Sequence, residues 1–207
     1  MFRATPFLAW VVHLAVVFVA AAMTVALAPD RIAQTPDFGG IAHYLVPPLS
    51  VWDGGWYLWV AEEGYATRQA AAAFWPLYPI AMDGGRRLTG LPHAGVGIIV
   101  SNIAFLGALI VLQRLVQIDY GEATARRTTW LLALSPTAFF FSAVYTESIF
   151  LLLTVSALLL GRTERWTSAA LVTVLATLTR SNGVVVLLPL GLILVQQRGW
   201  HPRGWWT

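Results

Sequence analysis

Six long apolar runs, separated by polar segments, constrain the fold of this chain more than any other feature. The first run, 7–28, has 22 residues and is interrupted mainly by His13 and Thr24. A helix needs about 20 apolar residues to cross a bilayer, so this run is long enough to span and long for a cleaved signal segment. The other runs cover 93–113, 128–143, 146–161, 166–180 and 184–197. Together they predict one transmembrane module over 1–207.

The composition narrows the class of protein. Hydrophobic residues make up 57% of the chain and charged residues only 11%, whereas a soluble domain carries about 25% charged residues. All 13 basic residues are arginines, and they are scattered, which argues against a nucleic-acid partner. The chain has no cysteine and its four histidines lie far apart, so we expect neither a metal site nor a cofactor. The predicted fold class is an all-α polytopic membrane protein, with the lipid bilayer as its surroundings.

Residues 29–92 form the longest polar break and are predicted to be an outer loop. They hold several prolines and two Gly-Gly pairs, and we expect short interfacial helices near 38–46, 53–64 and 76–89. A helix at 53–64 would place its tryptophans at headgroup depth and aim Asp53 at the protein. One face of that helix would carry Asp53, Tyr57, Val60 and Gly64, and the neighbouring face Trp52, Trp56, Trp59 and Glu63.

The arginines predict the orientation in the membrane. With a cytoplasmic N-terminus and six crossings, eight arginines lie inside and five outside, as the positive-inside rule expects. The long loop and the turns at 142–148 and 179–183 then lie on the extracytoplasmic side, or in the lumen of the endoplasmic reticulum in a eukaryote. The last four runs are short and the third is broken by Ser135-Pro136. Tilting, extension by flanking residues and partial re-entry all stay open.

Three polar clusters are thereby predicted to meet at one membrane face. The first is Asp53 with Glu62 and Glu63, the second is the segment 142–148, and the third is the turn 179–183. Charged side chains so close to hydrocarbon are costly when unpaired, so they tend to face a cavity or a partner. Glu147 and Arg180 are expected at a similar depth, where they either pair or bind a substrate, and a guanidinium is well suited to grip a phosphate.

An ordered set of short motifs resembles the PIG-V mannosyltransferase family. The motifs are Trp52-Asp53, Glu62-Glu63-Gly64-Tyr65, Phe74-Trp75-Pro76-Leu77-Tyr78-Pro79, Ser135-Pro136, 142–148 and Arg180-Ser181-Asn182-Gly183. The resemblance implies a GT-C-like helix bundle that transfers a hexose, expected to be mannose, with inversion. It implies a polyprenyl-phosphate sugar as donor and a glycolipid or glycan as acceptor. Family members are about twice as long, so the chain is expected to be truncated at its C-terminus.

The implied chemistry assigns roles to two charged residues. Transfer needs a base to take the proton of the acceptor hydroxyl and a cationic group to stabilise the departing phosphate. With the resemblance, Asp53 is the candidate catalytic base and Arg180 the candidate phosphate ligand. On the residues alone, Asp53 serves equally well as the cap of a helix beginning at Gly54. Arg180 serves equally well as a headgroup-facing arginine.

Further candidates for substrate binding surround these two. They are Glu147, Tyr145, Asn182, Glu63, Trp52 and Tyr57. Four of them also have a plainer interpretation. Glu147 suits the first turn of a helix capped by Thr146, Asn182-Gly183 is a turn signal, Glu63 suits a solvated face, and Trp52 suits an interfacial aromatic belt.

Two other classes of function stay open on the sequence. One is a non-catalytic polytopic membrane protein, either a scaffold subunit or an inactive fragment. The other is a transporter fragment with its site at broken helices around Ser135-Pro136 and Arg180-Ser181. The depth of the polar residues in the membrane distinguishes an enzyme from a transporter. An enzyme of this kind gathers its polar groups at one membrane surface, whereas a transporter needs them near the midplane.

Overall fold

The computed structural model describes residues 4–28 and 40–199, and the regular secondary structure of this part of the chain is helical, without a strand. The α-helices are α1 (Ala4–Leu27), α2 (Gly40–Leu49), α3 (Asp53–Glu63), α4 (Leu77–Thr89), α5 (His93–Ala133), α6 (Glu147–Arg162), α7 (Trp166–Thr177) and α8 (Leu187–Arg198). Short 3-10 helices cover Gln69–Ala73, Ala138–Phe141 and Ser181–Val186. Three helical segments in the described ranges are long and apolar enough to cross a membrane: Ala4–Leu27, His93–Ala133 and Ser181–Arg198. The predicted all-α polytopic membrane fold is confirmed.

Helix α5 is a hairpin of two helical halves, 93–120 and 122–133. Gly121 between them has φ 80° and ψ 172°, which is not a helical conformation. Glycine adopts positive φ values readily because it has no Cβ. The halves lie side by side, because Thr129 donates a hydrogen bond to Gln113 over 3.1 Å. In a straight helix those residues would be about 24 Å apart. The predicted run 128–143 therefore begins in the returning half, which ends at Ala133 before the Ser135-Pro136 turn and the Ala138–Phe141 helix.

Two buried clusters connect α1, α3 and α4 with the α5 hairpin and the segment 142–148. Ala9 of α1 packs with Phe105, Leu109 and Ala133 of the hairpin. Tyr57 of α3 packs with Tyr78 and Met82 of α4 and with Val144. Gly97 permits the close approach of α4 and α5, since a Cβ there would lie 2.8 Å from Met82 Sδ.

The three helices predicted in the long loop are present as α2, α3 and α4, although part of the predicted 38–46 helix lies outside the described residues. Gly90, with φ 73°, ends α4 in the left-handed conformation. Arg86 and Arg87 in the last turn interact favourably with the negative end of the helix dipole. The interfacial position of these helices, and the membrane spans as a set, stay predictions.

The segment 142–148 is held by long-range hydrogen bonds. The Val144 N–H donates to the Leu49 carbonyl over 2.8 Å, and the Tyr145 hydroxyl donates to the Val51 carbonyl over 3.1 Å. Ser142 donates to Asn102 Oδ1 over 2.7 Å and lies 2.8 Å from His13 Nε2. This segment is thereby fixed to α1, α2 and α5 before it leads into α6.

Candidate functional site

Asp53 is the first residue of α3, and its side chain is exposed. The N-cap position belongs to Trp52, which makes no side-chain capping hydrogen bond. The capping interpretation of Asp53 therefore does not fit, because the carboxylate lies within the first turn instead of preceding it. A carboxylate in that turn interacts favourably with the helix dipole.

Trp52 has an unusual backbone conformation, with φ 53° and ψ −122°. A bulky residue at positive φ is strained, and such strain persists only where the surrounding structure enforces it. Here Gly54 N–H bonds to the Val51 carbonyl and Gly55 N–H to the Trp52 carbonyl, over 3.0 and 3.1 Å. The strained residue precedes Asp53, and its indole is 70% exposed, so the ring is available to a ligand.

Arg180 and Glu147 form an ion pair, with Arg180 Nη1 2.6 Å from Glu147 Oε1. Glu147 begins α6, while Arg180 lies in extended backbone between α7 and the Ser181–Val186 helix. The second carboxylate oxygen, Glu147 Oε2, is buried and has no hydrogen-bond partner. His93 Nε2 and Thr154 Oγ1 are also buried without a hydrogen-bond partner, so this feature does not by itself indicate a ligand.

The turn that carries Arg180 is closed by Gly183. A Cβ on Gly183 would lie 2.5 Å from the Ala176 carbonyl oxygen and from backbone atoms of Thr177. The turn also contacts α4, because the Leu77 N–H donates to the Leu178 carbonyl over 3.0 Å. The position of Arg180 therefore depends on a tight backbone approach.

Tyr57 is affected by the charges of both the ion pair and Asp53. Its hydroxyl is 3.3 Å from Thr146 Oγ1, and the side chain is buried. Burial raises the pKa of Tyr57, the Thr146 hydrogen bond and the Arg180 charge lower it, and the charges of Glu147 and Asp53 raise it. Three charged side chains from separate parts of the sequence thus act on this one hydroxyl, which keeps its proton at neutral pH.

Tyr145 contacts the start of α3 through its hydroxyl. Burial raises the pKa of Tyr145, while the backbone N–H groups of Asp53 and Gly54 interact with its hydroxyl. Gly54 leaves room for this contact, because a Cβ there would lie 3.3 Å from the Val144 carbonyl oxygen. The segment 142–148 therefore packs directly on the start of α3.

Other predicted site residues lie elsewhere. Glu63 is exposed at the far end of α3, about 15 Å along the axis from Asp53. Asn182 is exposed in the Ser181–Val186 helix, two residues beyond Arg180. Conversely, Thr146 belongs to the group and was singled out by the sequence only as a helix cap. Its place beside Glu147 in the 142–148 motif is the signal that could have included it.

An apolar groove of about 1150 Å³ opens beside this group. Its walls are α1, the segment 48–52 and the residues 133–139 that follow the α5 hairpin, and Val51 and Trp52 lie at its edge. None of the described residues that line it is an Asp, Glu, Lys or Arg, and both ring nitrogens of His13 are bonded to the protein. Within the described ranges, no group of three or more His, Asp or Glu is arranged to hold a metal ion.

Fold and site together define a polytopic helical membrane protein with charged side chains gathered beside an apolar groove. The sequence model of the family described as Mannosyltransferase (PIG-V) matches residues 5–199. The chain belongs to this family, as the motif resemblance predicted.

Named relatives are similar over most of this chain. It is 35% identical to GPI alpha-1,6-mannosyltransferase 2 of Cricetulus griseus and 34% identical to the human protein of that name, each over 174 residues, which are 77% of this chain and 34% of the relative. It is 35% identical to GPI mannosyltransferase 2 of Cryptococcus neoformans over 149 residues, which are 67% of this chain and 35% of the relative. The chain thus spans about a third of the length of these relatives. No solved structure matches it.

Proposed function

We propose that this chain carries the catalytic site of a membrane mannosyltransferase that uses a polyprenyl-phosphate mannose as donor. The observation that carries the proposal is the Arg180–Glu147 ion pair together with the Tyr57 hydroxyl, on which the charges of Arg180, Glu147 and Asp53 all act. Family membership and the names of the relatives support mannose transfer to a glycolipid. The site is proposed to face the extracytoplasmic or luminal side.

The proposed reaction is a single displacement with inversion at the sugar. The acceptor hydroxyl oxygen forms a bond to the anomeric carbon while the bond from that carbon to the donor phosphate oxygen breaks. The hydroxyl proton passes to the Asp53 carboxylate, and the bonding electrons leave with the phosphate. The exposed carboxylate at the start of α3 is accessible to an incoming hydroxyl, which suits a general base.

Arg180 is proposed to hold the departing phosphate. A guanidinium has five N–H donors, and the Glu147 pair occupies one nitrogen, so other donors remain for phosphate oxygens. Glu147 then fixes the orientation of the guanidinium through Oε1. The protonated Tyr57 hydroxyl supplies a further hydrogen bond to the sugar or the phosphate.

The remaining candidates take supporting roles in this proposal. The exposed indole of Trp52 packs against the sugar or a lipid chain. Tyr145 acts by bonding Val51 and so setting the start of α3. Asn182 contacts the donor headgroup from the turn that carries Arg180, and Glu63 contacts a distal part of the acceptor.

The test is transfer of radiolabelled mannose from a polyprenyl-phosphate donor in membranes that contain only this chain. Asp53→Asn is expected to reduce transfer by about 10² to 10⁴, the usual contribution of a positioned base. Glu122→Gln is the matched control, since this exposed α5 carboxylate pairs only at the surface with Arg126 over 3.4 Å. Full transfer by Asp53→Asn would remove Asp53 from the mechanism, and no transfer by the unmodified chain would favour the non-catalytic alternative.

A further inference from the structure

The apolar groove beside the site differs from the site in chemistry. Its lining is uncharged, and side chains such as Val16, Leu134 and Pro136 are exposed to it. Its volume of about 1150 Å³ is above the range of about 300–1,000 Å³ typical of small-molecule pockets. An uncharged groove of this size accepts hydrocarbon chains, because burying a phosphate or sugar headgroup there would leave its polar atoms unpaired.

The groove also lies on one particular side of the site. Its walls come from α1, the end of α2, Val51, Trp52 and the residues 133–139, and no described residue of α6, α7 or α8 lines it. The Arg180–Glu147 pair belongs to the α6 and α7 side. Asp53 directly follows Trp52, so the groove adjoins the proposed base and not the proposed phosphate ligand.

Resting on the proposed function, we infer that this groove holds the acyl chains of the glycolipid acceptor and not the isoprenoid chain of the donor. In an inverting displacement the nucleophile enters opposite the leaving group. The acceptor must therefore approach from the side of the base, while the donor phosphate and its attached chain leave from the side of Arg180. The groove lies on the acceptor side by this criterion.

The backbone at Trp52 connects the apolar groove with the start of α3, where Asp53 lies. Val51 lines the groove while its carbonyl accepts the Tyr145 hydrogen bond, and the positive φ of Trp52 turns the chain from the groove wall into α3. A glycolipid whose chains occupy the groove would thus have its headgroup next to Asp53. The unusual conformation of Trp52 brings the lipid wall and the base within two residues of each other.

The experiment is photolabelling of the full chain in lipid nanodiscs with two probes. One is a glycosylated phosphatidylinositol with a diazirine in an acyl chain, and the other is a polyprenyl phosphate with a diazirine near the end of its isoprenoid chain. The glycolipid probe is expected to label α1 and residues 133–139, and excess unlabelled glycolipid should suppress this labelling while phosphatidylcholine should not. The polyprenyl probe should label other peptides.

A pair of variants on α1 makes the test specific. Ala20 lines the groove and is exposed, so Ala20→Trp fills the groove with little risk to folding. The neighbouring Val19 is 55% exposed and does not line the groove, so Val19→Trp is the matched control. Labelling by the glycolipid probe should fall about tenfold in Ala20→Trp alone. Leu134→Trp, on the opposite wall, is a second variant with the same expectation.

Three results would overturn the inference. The first is groove labelling by the polyprenyl probe that is lost in Ala20→Trp. The second is suppression by phosphatidylcholine as effective as by glycolipid, which would mean ordinary bilayer lipid. The third is equal labelling in all the variants. Labelling is read without mannose transfer, so a specifically labelled groove in an inactive chain would overturn the proposed function and retain only a glycolipid-binding groove.

Discussion

The two ends of α3 carry similar residue types in very different surroundings. At its start, Asp53 lies near Tyr57 and the ion pair of Glu147 and Arg180, whose side chains are 25% and 39% exposed. At its end, Glu62 lies 3.4 Å from His93, which is 3.8 Å from Asp83. The pair of Asp83 and Arg87 there is 36% and 78% exposed.

This difference separates a candidate site from a surface network. The pair of Asp83 and Arg87 is four residues apart on one helix and open to solvent, so solvent screens it and it contributes little to stability. The pair of Glu147 and Arg180 joins two helices at a turn that Gly183 holds tightly, and it leaves one buried oxygen unpartnered. Neither charge nor a buried atom without a hydrogen-bond partner marks a site by itself, because His93 Nε2 at the other end of α3 is also such an atom. What distinguishes the start of α3 is the ion pair between Glu147 and Arg180 and the action of three charged side chains on the Tyr57 hydroxyl.

The largest expected effect distinguishes the two arginines. Arg180→Ala should lower mannose transfer by about 10² to 10³, because a donor to the departing phosphate is lost, and should raise the KM for the polyprenyl-phosphate donor. Arg87→Ala removes an equivalent charge from the exposed network and should leave both quantities unchanged. Steady-state assays with varied donor concentration measure both quantities. Equal rates and KM values for the two variants would mean that Arg180 has no special role in transfer.

The next effect concerns the turn that carries Arg180. Gly183→Ala places a Cβ 2.5 Å from backbone atoms of α7 and should lower stability by about 1–3 kcal/mol, as overpacking does. Gly191→Ala is the control, since a Cβ there meets nothing within 4 Å and alanine favours a helix. Thermal unfolding in detergent measures both, and an unchanged Tm for Gly183→Ala would show that the turn is looser than described.

A smaller effect is expected for the hydroxyl of Tyr57. Tyr57→Phe deprives the buried Thr146 hydroxyl of its 3.3 Å partner and should cost about 1 kcal/mol of stability, with a further loss of transfer if that hydroxyl contacts substrate. Tyr65→Phe removes an exposed hydroxyl that bonds the Phe74 carbonyl over 2.7 Å and should change transfer little. Parallel unfolding and transfer measurements separate the structural role from the functional one.

The smallest effect is a pH dependence confined to the surface network. The hydrogen bond from Arg87 holds the pKa of Asp83 below its ordinary value of 3.8. The stabilisation by this carboxylate is therefore complete above that ordinary value and is lost as the pH falls through the lowered one. Tm measured between pH 5 and pH 2 should show a slight acid loss that Asp83→Asn removes and that high salt weakens; a loss of the same size in Asp83→Asn would assign it elsewhere.

Much of the helical framework could be predicted from the sequence. The 22-residue run at 7–28 predicted α1, and the periodicity at 53–64 predicted that Tyr57 and Val60 share a face, both of which are buried in α3. These features are local, because apolar length and a 3.6-residue period follow from neighbouring residues alone. The motif resemblance predicted the family for the same reason, through residues read in order.

The details that depend on distant contacts could not be predicted. Nothing in the sequence indicates that Trp52 adopts a positive φ, since that conformation depends on hydrogen bonds closed by Gly54 and Gly55. The exposure of Asp53, the contact of Thr146 with Tyr57 and the groove beside α1 arise from packing between segments far apart in the chain. The periodicity of apolar residues predicts which face of a helix is buried, but it does not predict which other segment packs against that face.

Gly121 has a consequence for how this architecture could be altered. The hairpin reverses direction at Gly121 without a loop. The alignment of its two halves is therefore fixed, and the hydrogen bond between Thr129 and Gln113 depends on that alignment. Inserting one residue after Gly121 would slide Ala133 along Phe105 by about 1.5 Å and rotate it by about 100°. Ala133 lines the groove, whereas Asp53 and Arg180 are carried by other helices. The shape of the groove thus depends in part on a bend remote from Asp53 and Arg180. If the groove holds acyl chains as inferred, a change at this bend would alter the preferred chain length without changing the proposed reacting groups.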